Sequence, residues 1–446
     1  MYAGTELGRG AYRSGLSAET AFTPIALGRF ADRFARDQCS INAISSSASK
    51  LYLSGDCQPL IVRTDDGAVE GAPLWPEPEQ AYVSFYRHFA QHAVQPSSID
   101  GKVSFRADAK GGFYTYDNPS AIPKRSKRAF PFEPGECRGF YISTQSSMTK
   151  LDEVRALLDS GKFNCVVVDM KDDFGRVPME VTTPLTQRYG TRRSDWSISE
   201  LGKLLSGYKV WKVARHVTMK DLHLVDATDG RLALLDIQSH RPWVGEDQDK
   251  WSDPYDQEVW EYNVEIASTY EALGFDEVQF DYIRFPSDID RISSPAKADD
   301  TYQSEALASF LSYARTKTRL PVSIDIYGFS ALYRTDSPIG QDLQLLAEYV
   351  DVISPMLYSS HFDHRYLAQG SLEQRAYHLL LHSTGRANVL ARGRVVIRSW
   401  LQAFREQTEL WGYGYTYFHG QTQGCLDAGS KGWLWWGPIE EMFGLP

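Results

Sequence analysis

Two strand-like segments carry carboxylates that could perform nucleophilic or acid–base chemistry. In "EVQFDYIRFP" (277–286), Asp281 and Arg284 interrupt a run that otherwise looks like a buried strand, and Asp325 has a similar place in "PVSIDIYG" (321–328). A charged group is costly to bury without a partner, so such positions indicate an ion pair or a function. Two carboxylates at one site suit cleavage of a glycosidic bond, with one as nucleophile or base and the other, with a raised pKa, as acid.

Other charged or aromatic residues also occur late in strand-like segments. They are Asp169, Lys171 and Asp172 in "NCVVVDMKDD", Arg215 in "KVWKVARHV", Tyr327 in "PVSIDIYG", Tyr358 and His361 near "DVISPMLYSSH", Arg398 and Trp400 in "RVVIRSW", and Trp436 in "GWLWWG". We predict that these residues, together with Arg284, bind the substrate. Arg215 or Arg284 would keep a nucleophilic aspartate ionised, and the tryptophans would stack on sugar rings. For any one of them, a purely structural role in an ion pair or in the core remains open.

The segments that carry these residues alternate with stretches of helical periodicity. Eight short β-branched or aromatic runs predict strands at 138–144, 164–171, 209–217, 277–285, 321–328, 351–359, 394–400 and 432–437. Strands that alternate with helices are typical of a parallel sheet, and eight of them close a (β/α)₈ barrel. We therefore predict an α/β fold, a TIM barrel over residues 137–446.

The alternation of side chains along a strand decides which residues face the barrel interior. In "EVQFDYIRF", Val278, Phe280 and Tyr282 share one face, while Gln279, Asp281 and Ile283 share the other. The first set is large and apolar, so it should lie under the helices and leave Asp281 inside. The same rule places Asp325 inside and groups Asp169 with Lys171. Active sites of such barrels lie at the carboxyl ends of the strands, where these residues would converge.

The region before the barrel has a different character. Residues 1–118 mix Gly, Ser and short apolar runs, which predicts a mainly β accessory domain with one helix. Residues 119–136 are rich in proline and basic residues, as linkers often are.

Composition narrows the partners and the compartment. A formal net charge of -10 argues against nucleic acid as a partner, and no apolar run is long enough to span a membrane. The 11 Trp and 25 Tyr suit large cores or a sugar-binding groove. The five cysteines have no metal-binding spacing, so we expect no metal and no cofactor. We expect a periplasmic or secreted protein in its mature form, and the oligomeric state stays open.

Several of these segments also resemble a known family. "NCVVVDMKDDFG", "KVARHVTMKD", "GFDEVQFDYIRFPSD", "VSIDIYGF" and "DVISPMLYSSHF", in this order, are similar to a bacterial domain family of barrel glycoside hydrolases related to α-amylases and α-galactosidases. "FDYIRFP" is the most specific of them. The resemblance implies a retaining glycoside hydrolase, endo-acting on an α-linked bacterial or environmental polysaccharide. By analogy it assigns Asp281 as nucleophile and Asp325 as general acid/base, with Asp169 and Asp172 as the alternative candidates for the acid/base.

Two other hypotheses stay open at this stage. The first is a carbohydrate-binding barrel without hydrolytic activity, which would bind saccharides and not turn them over. The second is a metal-dependent hydrolase that uses His361 and His364 of "HFDH" with the aspartates. Two histidines three residues apart in a predicted loop favour that reading only weakly.

Overall fold

The computed structural model describes residues 128–297, 302–332, 338–363, 366, 371–391, 394–406 and 413–446, and before residue 128 only the backbone of nine short strands. Three of these strands form one antiparallel sheet, four form another and two form a hairpin. They are Tyr2–Gly4, Ala11–Arg13, Thr23–Ile25, Ile41–Ser46, Lys50–Gly55, Leu60–Arg63, Val69–Gly71, Phe105–Ala107 and Phe113–Thr115. The helix predicted in this region lies outside the described residues, and the boundaries at 118 and 136 stay predictions.

Eight parallel strands close into a barrel, which confirms the predicted (β/α)₈ fold. They are β1 Arg138–Ile142, β2 Cys165–Lys171, β3 Trp211–Val217, β4 Glu277–Asp281, β5 Val322–Tyr327, β6 Val352–Met356, β7 in the two pieces Val396–Ile397 and Trp400–Gln402, and β8 Trp433–Trp436. β1 pairs with both β2 and β8, and β5 pairs with both β4 and β6, so the ring has no open edge. Each predicted strand segment contains one of these strands, except that the segment 394–400 includes only the first residue of the second piece of β7.

Helices follow the first seven strands and cover the outside of the barrel. They are α1 Leu151–Asp159, α2 Ser199–Ser206, α3 Gln257–Ala267, α4 Gln303–Lys317, α5 Leu343–Leu346, α6 Leu372–Ala391 and α7 Tyr415–Asp427. Short helices at Ser146–Thr149, Pro184–Tyr189 and Leu222–Ala227 lie in the loops, and a 3₁₀ turn at Ile439–Gly444 follows β8. No helix among the described residues has the length and apolar character needed to cross a membrane.

Side-chain alternation sorts the strand residues between two cores. Val278 and Phe280 belong to the large core between the strands and the helices. A second, smaller core fills the barrel and contains Val167, Val213 and Trp400. Gln279 and Asp281 occur at the alternate positions of β4, so the predicted orientation of this strand is confirmed.

Three irregularities interrupt this alternation. β4 ends at Asp281, and the next residue, Tyr282, has a positive φ of 50°. Ile283 therefore packs in the outer core, and its predicted place on the inner face is wrong. In β2 the register shifts between Asp169 and Lys171. β7 is broken at 398–399, between its two pieces.

Candidate active site

Arg215 of β3 joins carboxylates from two neighbouring strands inside the barrel. Its Nη1 lies 2.7 Å from Oδ1 of Asp169 at the end of β2. Its Nη2 and Nε lie 2.7 and 2.9 Å from Oδ2 of Asp281 at the end of β4. A third carboxylate, that of Asp173 in the loop after β2, is 3.3 Å from Nη2. Because the guanidinium is fully buried, these carboxylates balance a charge that would otherwise be costly.

The backbone beyond β4 supports the carboxylate of Asp281 from a second direction. The Tyr282 N–H donates a 2.6 Å hydrogen bond to Asp281 Oδ1, while Arg215 occupies Oδ2. This bond is made where Tyr282 has its left-handed backbone conformation, which residues other than glycine adopt rarely. Both oxygens of Asp281 are thus held by donors, and the side chain is only 5% exposed.

Asp325 of β5 lies beside Asp281 in a different environment. The register pairs Gln279 with Ser323 and Phe280 with Ile324, so Asp281 and Asp325 are the next neighbours on adjacent strands. The axes of neighbouring strands lie about 5 Å apart. Asp325 is fully buried and its Oδ1 accepts a 2.7 Å hydrogen bond from Nε1 of Trp400. Burial, and then the negative charge of Asp281, raise the pKa of Asp325 well above its usual value.

Aromatic residues of β8 and β1 form one wall of the site. The rings of Tyr141 and Trp436 stack with their centroids 3.9 Å apart, and the Arg215 guanidinium lies 4.9 Å from the Trp436 ring. The Tyr141 hydroxyl donates a 2.6 Å hydrogen bond to Asp169. Burial raises the pKa of Asp169, and the charge of Arg215 opposes that shift.

Tyr358 and His361 lie on the β6 side. Tyr358 is buried, and its pKa is raised by burial and then by the charges of Asp325 and Asp281. The His361 ring makes an edge contact with Tyr358, with centroids 5.1 Å apart, and its side chain is about half exposed. Burial lowers the pKa of His361, and the charge of Glu406 opposes that shift.

Arg284 is close to the rim and does not pair with Asp281. Its guanidinium lies between the rings of Tyr327, at 4.5 Å, and Trp251, at 4.6 Å, and donates to the Phe285 carbonyl at 2.9 Å. This places Arg284 next to the last residue of β5, on the same side of the barrel as the carboxylates.

Lys171 and Asp172 lie away from this cluster. The shift in β2 turns Lys171 outward, where its Nζ lies 2.6 Å from Asp221 and 3.0 Å from Oδ1 of Asn263. The expectation that Lys171 shares a face with Asp169 is therefore wrong, because simple alternation does not account for the bulge. Asp172 forms a turn, in which its Oδ1 accepts from the backbone N–H groups of Phe174 and Arg176.

Arg398 lies at the opposite end of the barrel from the carboxylates. Its guanidinium forms a fully buried ion pair with Glu277, the first residue of β4, and Trp211 Nε1 donates to the same carboxylate at 2.8 Å. The expected convergence of Arg398 with Trp400 at the rim is wrong. Arg398 sits in the break of β7, before the piece that carries Trp400, and its side chain reaches the amino end of β4.

Sequence reasoning missed two residues of the cluster, Tyr141 and Asp173. Tyr141 is the penultimate residue of β1 and could have been found by extending the alternation rule to that strand. Asp173 directly follows Asp172 in the sequence. Only the structure shows that Asp172 caps the turn, while Asp173 contacts Arg215.

The described residues include no group of three His, Cys, Asp or Glu side chains arranged to hold a metal ion. His364, one of the two histidines of the metal hypothesis, lies outside the described residues. His361 has Glu406 at 3.8 Å as its charged neighbour.

Residues 139–441 match the sequence profile of a family described as "putative glycosyl hydrolase domain". This range includes all eight strands except the first residue of β1, and more than half of the chain. The chain belongs to this family, so by class it is a glycoside hydrolase. Among curated proteins, no sequence match is found.

Solved structures similar to this one include several glycoside hydrolases. The glycoside hydrolase domain of PgaB (BpsB) from Bordetella bronchiseptica is 13% identical, with a TM-score of 0.48, over 69% of this chain and 95% of that one. The α-galactosidase TtGalA from Thermus thermophilus is 11% identical, with a TM-score of 0.45, over 100% of this chain and 85% of that one. A hypothetical protein from Ruminiclostridium thermocellum ATCC 27405 is 30% identical, with a TM-score of 0.38, over 42% of this chain and 96% of that one.

Proposed function

We propose that the protein is a retaining glycoside hydrolase in which Asp281 is the nucleophile and Asp325 the general acid/base. The observation that carries this proposal is the contrast between two neighbouring carboxyl groups. Asp281 accepts hydrogen bonds from a guanidinium and from a backbone N–H, whereas Asp325 has a raised pKa and one indole donor. Two carboxyl groups with such unlike environments are suited to opposite roles in one reaction.

The reaction would proceed in two balanced steps. The Asp281 carboxylate attacks the anomeric carbon and forms a glycosyl ester, while protonated Asp325 gives its proton to the departing glycosidic oxygen. The Asp325 carboxylate then takes a proton from a water molecule, whose oxygen attacks the anomeric carbon and releases Asp281. A raised pKa keeps Asp325 protonated for the first step.

The positions of the two residues support retention over inversion. Retaining enzymes need about 5–5.5 Å between the carboxyl groups, and inverting ones about 6.5–9.5 Å to admit a water. Neighbouring register positions on adjacent strands favour the shorter separation.

We further propose an α-linked bacterial or environmental polysaccharide as the substrate, cleaved internally by a periplasmic or secreted protein. The α linkage follows from the resemblance to α-amylase-like and α-galactosidase-like barrels. Exposed aromatic rings in the carboxyl-end loops support a long substrate. Phe174 after β2 is 53% exposed and Phe329 after β5 is 43% exposed.

The test is digestion of a panel of α- and β-linked polysaccharides by the purified chain, with products identified by mass spectrometry and their initial anomeric form by NMR. We expect a product of the same anomeric configuration as the substrate. Asp281→Asn should abolish turnover, and Asp325→Asn should lower kcat about 10²–10⁴-fold on natural linkages. Dinitrophenyl glycosides have a leaving group that needs no proton. On these substrates, Asp325→Asn should lower the rate of the glycosylation step much less.

Asp195→Asn is the matched control, because Asp195 is an exposed carboxylate that pairs with Arg193 on the surface. Full activity in Asp281→Asn would refute its assignment. An inverted product would refute the retaining mechanism. Saccharide binding without turnover on the whole panel would favour the binding-protein hypothesis instead.

A further inference from the structure

A concave site lies on the same face of the barrel as the catalytic cluster. It is a cavity of about 580 Å³ between the segment that follows β3 and the segment that follows β4. Leu234 and Tyr255 line it from the first segment, and Phe285 and Ile292 from the second. Tyr302, at the start of α4, also lines it. All of these residues follow the carboxyl ends of their strands, which is the catalytic face of such a barrel.

The walls of the cavity are fixed by contacts between the two segments. Leu235–Asp236 and Ile292–Ser293 pair as a short antiparallel ladder. The Asp253 carboxylate accepts hydrogen bonds from Ser294 Oγ, at 2.5 Å, and from the Ala296 N–H, at 3.4 Å. A concave site of this size, framed before any ligand arrives, has the dimensions of an ordinary small-molecule site.

The lining combines aromatic faces with hydrogen-bonding groups. The Tyr255 ring packs on the buried Phe285 ring with centroids 5.4 Å apart, and Tyr302 is 41% exposed, so Tyr255 and Tyr302 are the rings that a ligand can contact. Lys297 Nζ lies 5.8 Å from the Tyr255 centroid, and Gln303 lies at the same wall. Flat apolar rings with a few polar groups around them match a pyranose, which has an apolar face and a rim of hydroxyls.

The cavity is close to the proposed nucleophile along the chain. Phe285 follows Asp281 by four residues, a span of at most about 14 Å of chain. Arg284 stands between them and lies against Tyr327 of the barrel rim. A sugar chain in the active site could therefore pass over Arg284 and reach the cavity.

We propose that this cavity is a distal subsite that binds a neutral pyranose unit of the same polysaccharide chain. This inference rests on the proposed function, since it extends the same site. Lys297 is the charged residue among those that line the cavity, and Asp288, Asp290 and Arg291 lie outside the lining on the same segment. Because Asp288 and Asp290 offset Arg291 and Lys297, this segment has no net charge that would favour an anionic sugar, and Arg291 also has Asp236 at 4.0 Å. The subsite would make the enzyme prefer long chains over short glycosides.

The test measures binding separately from turnover. Fluorotyrosine is placed at position 302 of the full chain carrying Asp281→Asn, and fluorine NMR follows titrations with methyl α-D-glucopyranoside, methyl α-D-galactopyranoside and the methyl glycoside of D-galacturonic acid. We expect a saturable shift with at least one neutral glycoside and weaker binding of the uronic acid. Tyr255→Ala should weaken this binding at least about tenfold, and Tyr255→Phe should retain it.

Tyr415→Ala is the matched control, since Tyr415 is 61% exposed and does not line the cavity. Absence of a saturable shift, or a shift that Tyr255→Ala leaves unchanged in a protein of unaltered thermal midpoint, would overturn the subsite. Tighter binding of the uronic acid than of both neutral glycosides would overturn the choice of a neutral sugar. Turnover on the polysaccharide panel without a shift would reject the subsite alone, while a shift without turnover would reject the hydrolase proposal alone.

Discussion

The indole Nε1 of Trp400 lies 2.7 Å from Oδ1 of Asp325, and this hydrogen bond runs from β7 to β5 inside the barrel. Trp400 is itself held in place by Trp436, whose ring it meets edge-on with centroids 5.5 Å apart. The bond lowers the pKa of Asp325, against burial and the charge of Asp281, which both raise it. Trp400 is therefore a positioning residue for the proposed general acid, in addition to any contact it makes with a sugar.

Trp400→Phe should move the alkaline limb of the pH profile of kcat/KM to higher pH. The substitution keeps an aromatic ring and removes the donor that lowers the pKa of Asp325, so the acid stays protonated to a higher pH. We also expect kcat to fall about tenfold, because the carboxyl group is less well oriented. Trp433→Phe is the control, since Trp433 packs in the outer core. An unchanged alkaline limb would show that Trp400 does not act through Asp325.

Side-chain alternation was sufficient to place Asp281, Arg215 and Asp325 in the barrel interior, because β3 and β5 are regular and β4 is regular up to Asp281. It failed for Lys171 and Arg398, where a bulge and a break reset the alternation. A bulge adds one unpaired residue, and nothing in the local composition of "VVVDMK" marks its position.

The role of Trp400 shows a second limit of sequence reasoning. Its inner position was predictable, and stacking on a sugar was the expected role. The carboxylate that the indole N–H of Trp400 contacts depends on how Trp400 packs against Trp436. This contact joins β7 and β8, and sequence spacing does not specify it.

Asp325→Asn should make the folded protein more stable than wild type, increasingly so as the pH rises. The folded-state pKa of Asp325 lies above its unfolded value of about 3.9. Between these two pKa values the folded state binds more protons than the unfolded state, so wild-type stability falls as pH rises. The asparagine has no charge to bury and can still accept the Trp400 hydrogen bond. The difference in free energy of unfolding should grow by up to about 1.4 kcal/mol per pH unit in this window.

Urea denaturation of both proteins between pH 4 and pH 8, a range of about four pH units that begins just above the unfolded-state pKa, measures this difference. Asp195→Asn serves as the control, because Arg193 lowers the pKa of Asp195 and its removal should give no gain that grows with pH. A stability difference between Asp325→Asn and wild type that stays constant over this range would contradict burial of a neutral carboxyl group at Asp325.

Tyr282 should determine the orientation of Asp281 through its backbone more than through its ring. Its φ of 50° directs the N–H that donates to Asp281 Oδ1 at 2.6 Å. Asparagine tolerates this left-handed region, whereas a β-branched residue there is strongly disfavoured, by about 1–2 kcal/mol. Tyr282→Asn and Tyr282→Val both lose the ring contacts with Trp251 and Lys220, so these contacts cancel in the comparison.

We expect Tyr282→Val to have a kcat at least about fivefold below that of Tyr282→Asn, which is what 1 kcal/mol of misalignment produces. The two variants should have similar KM values, because they remove the same aromatic surface. The thermal midpoint of Tyr282→Val should be lower than that of Tyr282→Asn for the same backbone reason. Equal kcat values in the two variants would mean that the backbone conformation of Tyr282 does not affect the reaction. Strain at this residue would then have no part in holding the nucleophile.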